Sequence, residues 1–126
     1  MGGIAQIIKN INRVVYACDI GYSVCIPKNC VLAHQGLGVV IHNEVKIGEH
    51  CTILQNVTIG ANGGLGKSGN EAPFIGDNVF IGAGAAILEN IKVGSNVYIG
   101  ANAVVLHDVP DNVAVAGVPA VIKKYL

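Results

Sequence analysis

Two short stretches of this sequence hold side chains with evident chemical uses. The first, ANGGLGKSGN at residues 61–70, reads as AxxxxGKS and looks like a phosphate-binding loop with Ala61 in place of its leading glycine. Such a loop works only where a strand delivers it to a helix N-terminus, whose amides cradle the phosphate. The second, AHQGLG, carries His34. Imidazole is the side chain whose ordinary pKa suits it to moving protons near neutral pH. His42, His50 and His107 are the other histidines, at successive spacings of eight, eight and fifty-seven from His34. Cys18, Cys25, Cys30 and Cys51 contain no CxxC pair. What these groups can do depends on the elements that hold them.

Those elements announce themselves by a period of six. Ile47, Ile53 and Ile59 form one run, and Ile75, Ile81, Ile87, Val93, Ile99 and Val105 a second. A parallel row lies two residues earlier: Val45, Cys51 and Val57, then Val79, Ala85, Ile91, Val97, Ala103 and Val109. Upstream, Ile20, Ile26 and Leu32 keep the step, with Cys18, Val24 and Cys30 as their partners. Residues two apart on a strand face one side, so both rows point inward. A six-residue unit has room for one short strand and one corner. Three units close a triangular turn of about 18 residues, and stacked turns make a parallel β-helix. Glycine commonly follows the aliphatic residue, as in Ile81-Gly82 and Ile99-Gly100. At a corner it accepts backbone angles that a Cβ penalises. On this reading three of the cysteines are core thiols, free and reduced rather than ligands or disulfides.

The ladder breaks twice. From Leu32 to Ile41 the step is nine, and from Ile59 to Ile75 it is sixteen. Insertions of this kind are where a solenoid carries function. His34 lies in the first and ANGGLGKSGN in the second. After Ser68 the chain returns through GNEAPFIGDNVFIG to the six-residue ladder, so no helix receives a phosphate and the AxxxxGKS match is accidental. Ile4, Ile7, Ile8, Ile11, Val14 and Val15 follow helical spacing instead. The expected organisation is a capping helix over residues 1–17 and a β-helix over 18–126 with an extended loop at 61–73. A helix lying on a membrane surface is the competing reading of the N-terminus.

Composition agrees with strands and tight corners. The 126 residues are 52% apolar and 13% charged, with 17 glycines and no Trp. Eight basic residues balance eight acidic ones, which offers nothing to nucleic acid or an anionic membrane. Mean hydropathy is +0.54, yet no apolar run approaches the ~18 residues of a membrane span. No basic segment with a cleavage site opens the chain, so the cytoplasm is the expected compartment.

The ladder together with AHQGLGVVIH, ILQNVTIG, IGAGAAIL and AGVPA resembles the hexapeptide-repeat acyltransferases, in the branch of the serine acetyltransferases and the short O-acetyltransferases of surface polysaccharides. The resemblance runs from about Cys18 to Ile122. It implies an all-β, left-handed parallel β-helix, a homotrimer, and acetyl-CoA as co-substrate in the groove between subunits, with no metal. It implies that His34 is the general base, taking the hydroxyl proton as oxygen attacks the thioester. It further implies that Asp19, fifteen residues upstream, orients that imidazole from the neighbouring turn. A structural part for a lone histidine, and a corner-amide contact for Asp19, are the competing readings. Ala83, Gly84 and Ala101 map onto positions whose backbone meets the pantetheine arm. Lys123 and Lys124 either meet the nucleotide phosphates or form a solvated basic tail.

Departures from the serine acetyltransferase pattern bear on the acceptor. Ala33 stands where those enzymes carry an aspartate, Asn70-Glu71-Ala72-Pro73 replaces a basic-histidine-proline segment, and some seventeen residues stand where a large helical domain is usual. A zwitterion needs a partner for each desolvated charge, whereas a sugar needs hydrogen bonds of the kind Gln35, Asn70 and loop amides supply. The expectation is therefore an O-acetyltransferase acting on a sugar hydroxyl in surface-polysaccharide synthesis, with Ala33, Gln35, Asn70 and Glu71 at the acceptor. The alternatives are a serine O-acetyltransferase of cysteine biosynthesis and a non-catalytic hexapeptide scaffold. A zinc carbonic anhydrase on the same fold needs three converging histidines, which these spacings do not suggest.

Overall fold

A computed structural model describes residues 2–61 and 71–126. One helix, α1 (Gly3–Tyr16), precedes five coils of short strands. The first coil holds β1 (Asp19–Ile20) and β2 (Val31–Leu32); the second holds β3 (Val40–Ile41), β4 (Lys46–Ile47) and β5 (Thr52–Ile53). The third holds β6 (Thr58–Ile59), β7 (Phe74–Ile75) and β8 (Val79–Ile81); the fourth holds β9 (Ala86–Ile87), β10 (Lys92–Val93) and β11 (Val97–Ile99). The fifth holds β12 (Val104–Val105) and β13 (Val113–Ala116), after which β14 (Val121–Tyr125) turns back.

Three sheets result, one per side of a triangular prism. The first face is β1-β3-β6-β9-β12, the second β4-β7-β10, and the third β2-β5-β8-β11-β13-β14. All pairs are parallel except β13 with β14, which is antiparallel and covers the last edge of the third face. Register follows the sequence period. Ile41 pairs with Ile59 and Ile87 with Val105, each eighteen residues apart. Ile20 pairs with Ile41, twenty-one apart, and Ile47 with Ile75, twenty-eight apart. The excesses of three and ten are the two insertions.

The interior is the double ladder. Every residue of the two rows from Val45 to Val109 is buried, and no polar or charged residue is buried among the described residues. Cys18 and Cys51 are buried, Cys30 is half-buried and Cys25 exposed, and all four thiols are free. The Cys30 thiol donates to the Gly48 carbonyl at 3.2 Å and the Cys51 thiol to the Gly76 carbonyl at 3.2 Å. Burial is the main reason the Cys51 thiol is pushed up from 9.0 to about 11. A raised thiol pKa favours the protonated folded form, so this contribution is intact below pH 9 and is lost as pH rises towards 11. Denaturant midpoints of the wild type are expected to fall more steeply between pH 9 and 11 than those of Cys51→Ala. Parallel pH slopes would place the titration elsewhere.

The N-terminal helix forms where the apolar spacing changes from two to three and four, and it ends at Ala17, whose φ is 51°. It caps the first coil only in part. Ala5, Ile8, Lys9 and Asn12 face Ile20, Gly21 and Tyr22 across a cleft, and Lys9 Nζ pairs with Asp19 Oδ1 at 3.1 Å. No residue of the helix is buried. No helix among the described residues is long and apolar enough to cross a membrane.

Candidate active site

The insertion that carries His34 leaves the prism at the edge between the third and first faces, after β2 and before β3. Three consecutive left-handed residues shape it: His34 (φ 54°), Gln35 (φ 58°) and Gly36 (φ 74°). The turn is closed by hydrogen bonds from Leu37 N to His34 O at 3.2 Å and from Val39 N to Gly36 O at 3.0 Å. Left-handed backbone costs a residue with a Cβ of order 1–3 kcal/mol and is held only where its surroundings enforce it. The turn thus thrusts the His34 and Gln35 side chains into solvent, where both are exposed, while Ala33 stays half-buried at its root.

The same edge continues upward as a regular stack. Asn56 N donates to Leu37 O at 2.9 Å, Gly84 N to Gln55 O at 3.0 Å, and Asn102 N to Ala83 O at 2.9 Å. Leu37, Gln55, Ala83 and Ala101 therefore form one outward row. Beside it Gly38, Asn56, Gly84 and Asn102 are all left-handed, with φ between 57° and 72°. At Gly84 a Cβ would collide with Asn102 Oδ1, so the backbone is bare there. From the His34 turn to Ala101 is three strand spacings, about 14 Å. Ala83, Gly84 and Ala101, singled out for the donor, thus lie in line above His34.

Gln55 has no part in the sequence-based site, yet it occupies the step between the His34 turn and Ala83. Its Oε1 is buried without a hydrogen-bond partner. A buried orphan acceptor is costly, and such a group next to a candidate ligand track is a place for ligand contact. The segment ILQNVTIG contains it, but its row becomes visible only once the coils are stacked.

Other expected site residues fall away from this line. Asp19 lies on the first face beside the same edge, in register with Val40 one coil above. Its carboxylate is paired with Lys9 of α1, and no hydrogen bond or ion pair joins it to His34 among the described residues. In place of the orienting contact expected from the sequence, the Asp19 carboxylate is engaged by the helix. Lys123 and Lys124 are exposed on β14, on the outer strand of the third face rather than on the edge. Glu71 is exposed between β6 and β7, at the edge between the first and second faces, near Glu44 and Lys46. Asn70 lies outside the described residues, as does most of ANGGLGKSGN.

The remaining histidines are dispersed. His42 Nδ1 accepts from Glu44 N at 3.1 Å in a first-to-second-face corner. His50, left-handed at φ 56°, receives its corner bond through His50 N to Asn29 Oδ1 at 3.0 Å. His34, His42 and His50 sit on three different edges, and no metal-binding group of three His, Cys, Asp or Glu residues occurs among the described residues. A cleft of about 230 Å³ on the first face is lined by Lys9, Asp19, His42, Asn43, Gly60 and Ala61 among others; His34 does not line it.

Comparison with known proteins narrows the family. The model for the bacterial transferase hexapeptide (six repeats) matches residues 72–107. A serine acetyltransferase of Staphylococcus epidermidis is 44% identical over 120 residues, covering 95% of this chain and 55% of that protein. Among solved structures, a serine acetyltransferase of Brucella abortus strain S19 in complex with coenzyme A superposes with a TM-score of 0.89 at 37% identity, over 95% of this chain and 47% of that one. A Neisseria gonorrhoeae serine acetyltransferase in complex with serine gives 0.84 at 39% identity, over 92% and 46%. The chain spans about half the length of these relatives.

These likenesses overturn the expected sugar acceptor and its place in polysaccharide synthesis, because the relatives are serine acetyltransferases. The physical weakness of that expectation is visible in the fold. Glu71, whose negative charge is the wrong sign for a carboxylate, stands at a different edge from His34, so within one chain its charge does not face an acceptor held at that histidine. The chain thus carries the bacterial transferase hexapeptide repeat, matched over residues 72–107, and along 95% of its length it is similar to serine acetyltransferases.

Proposed function

We propose that this chain transfers an acetyl group from acetyl-CoA to the hydroxyl of serine, with His34 as general base. The observation that supports it most is the single edge on which the His34 turn, Gln55, Ala83, Gly84 and Ala101 follow one another. A thin acyl donor laid against Ala83, Gly84 and Ala101 brings its thioester towards the imidazole. His34 takes the serine hydroxyl proton as that oxygen attacks the thioester carbonyl. The new C–O bond forms, the tetrahedral intermediate collapses with loss of the C–S bond, and the imidazolium returns the proton to the departing sulfur. Gln55 offers its side-chain amide to the donor. Lys123, exposed on β14 away from that edge, is the cation proposed to reach the donor's phosphates. A neighbouring copy in a homotrimer supplies the opposite wall of the groove.

Asp19 contributes as a fixed negative charge one coil below the base, stabilising the imidazolium of the transition state. Asp19→Asn is expected to lower kcat by roughly tenfold with little change in the acetyl-CoA KM. Lys9→Ala, which removes the competing cation, should not lower it. Equal losses in both variants would make the Lys9–Asp19 pair structural only.

Steady-state thiol release from acetyl-CoA with serine and with uncharged hydroxyl compounds tests the acceptor. The expected outcome is the highest kcat/KM with serine. A higher value for any uncharged hydroxyl compound would overturn the assignment.

A further inference from the structure

We infer that α1 is an assembly element: its bare face packs against the same face of α1 in other copies of this chain, as a parallel three-helix seam. Ile4, Ile7, Ile8, Ile11, Val14 and Val15 are all more than half exposed, Ile4 at 77% and Val14 at 85%. Scattered exposed aliphatics are normal, but a contiguous stripe of six on a four-turn helix marks an interaction surface. A shallow groove lined by Ile7, Asn10, Ile11, Val14 and Val15 runs along it.

The spacing identifies the occupant. With Ile4 and Ile11 at position a of a heptad, Ile7 and Val14 fall at d, and Ile8 and Val15 at e. A stripe repeating every 3.5 residues is matched by another helix with the same repeat. The flank beside it is already engaged: Ala5, Lys9 and Asn12 face the first coil, with Ile8 at the border between the two sides, and Lys9 is held by Asp19. The groove along Ile7, Ile11, Val14 and Val15 lies on the other side of that border. Charge agrees. No a, d, e or g position of α1 is charged, so two copies of the seam do not repel. A membrane-surface helix, by contrast, carries a strongly basic polar face; here Arg13 is the one cation of α1 besides the paired Lys9.

Stoichiometry follows from branching. β-Branched side chains at both a and d favour three or more strands over two. Three equal helices around a cyclic axis are parallel and bring identical residues together. Two heptads are too short to associate alone, so the seam acts together with contacts between the coils.

The test is proximity, which does not depend on what other contacts hold the copies. Cys25 is the exposed cysteine; in a Cys25→Ser background, Ile11→Cys at position a and Gln6→Cys at position c are compared under mild oxidation. Rapid covalent dimers are expected from Ile11→Cys and not from Gln6→Cys. Absence of cross-linking at Ile11, or equal cross-linking at both sites, would overturn the inference. So would flotation of the unmodified chain with phosphatidylserine vesicles that is abolished by Ile7→Lys, since that outcome assigns the face to a membrane.

Discussion

Replacing His34 by alanine is expected to lower kcat by about 10²–10⁴ while leaving the fold intact. A serine hydroxyl is a weak nucleophile at neutral pH, and His34 is the one imidazole on the edge that also carries Ala83, Gly84 and Ala101. The variant should fold because His34 is exposed and outside the core. Alanine is less at home than histidine at φ 54°, so a small loss of stability, far short of unfolding, accompanies the change. The KM for acetyl-CoA should change little, because the donor track lies on the coils above. Near-normal turnover in the folded variant would remove His34 from the chemistry and return it to the surface.

Truncating Ile81 or Ile99 to alanine is expected to destabilise the protein by about 2–5 kcal/mol. Both side chains are fully buried, and Ile81 sits between Ile53 and Ile99 in one inward column of the third face. The coils above and below are tied by parallel hydrogen bonds, so they cannot collapse into the vacated space. Leu126→Ala, just after β14, is the control: its side chain is 62% exposed, and an exposed substitution shifts stability by only about 0.5 kcal/mol. Chemical denaturation of the three variants separates these cases. Similar midpoints for all three would mean that the ladder is not the core.

The repeat was readable because every coil obeys the same rule: an inward aliphatic residue, a small partner two positions before it, and a corner. The sizes of both insertions follow from counting, and Ile20 against Ile41 and Ile47 against Ile75 confirm them in three dimensions. Contacts between elements of different kinds were less legible. Nothing in the spacing reveals that Lys9 of a helix captures Asp19 of a strand, because that pairing depends on how α1 rests on the first coil. Gln55 was passed over for a related reason. It is an outward residue in a repeat otherwise read for its inward ones, and its importance comes from Leu37 below it and Ala83 above. Glu71 is a different case. Its place at the acceptor comes from the segment it occupies in the resemblance, and within one chain its edge of the prism is not that of His34.

The most direct measurement follows the acetyl group itself. The chain is mixed with serine and acetyl-CoA labelled with carbon-13 in the acetyl carbonyl, and the label is followed by NMR. The expected result is a new ester carbonyl signal on serine oxygen that grows with free coenzyme A and is lost in His34→Ala. Label that stays on the thioester, or appears only as acetate, would contradict it.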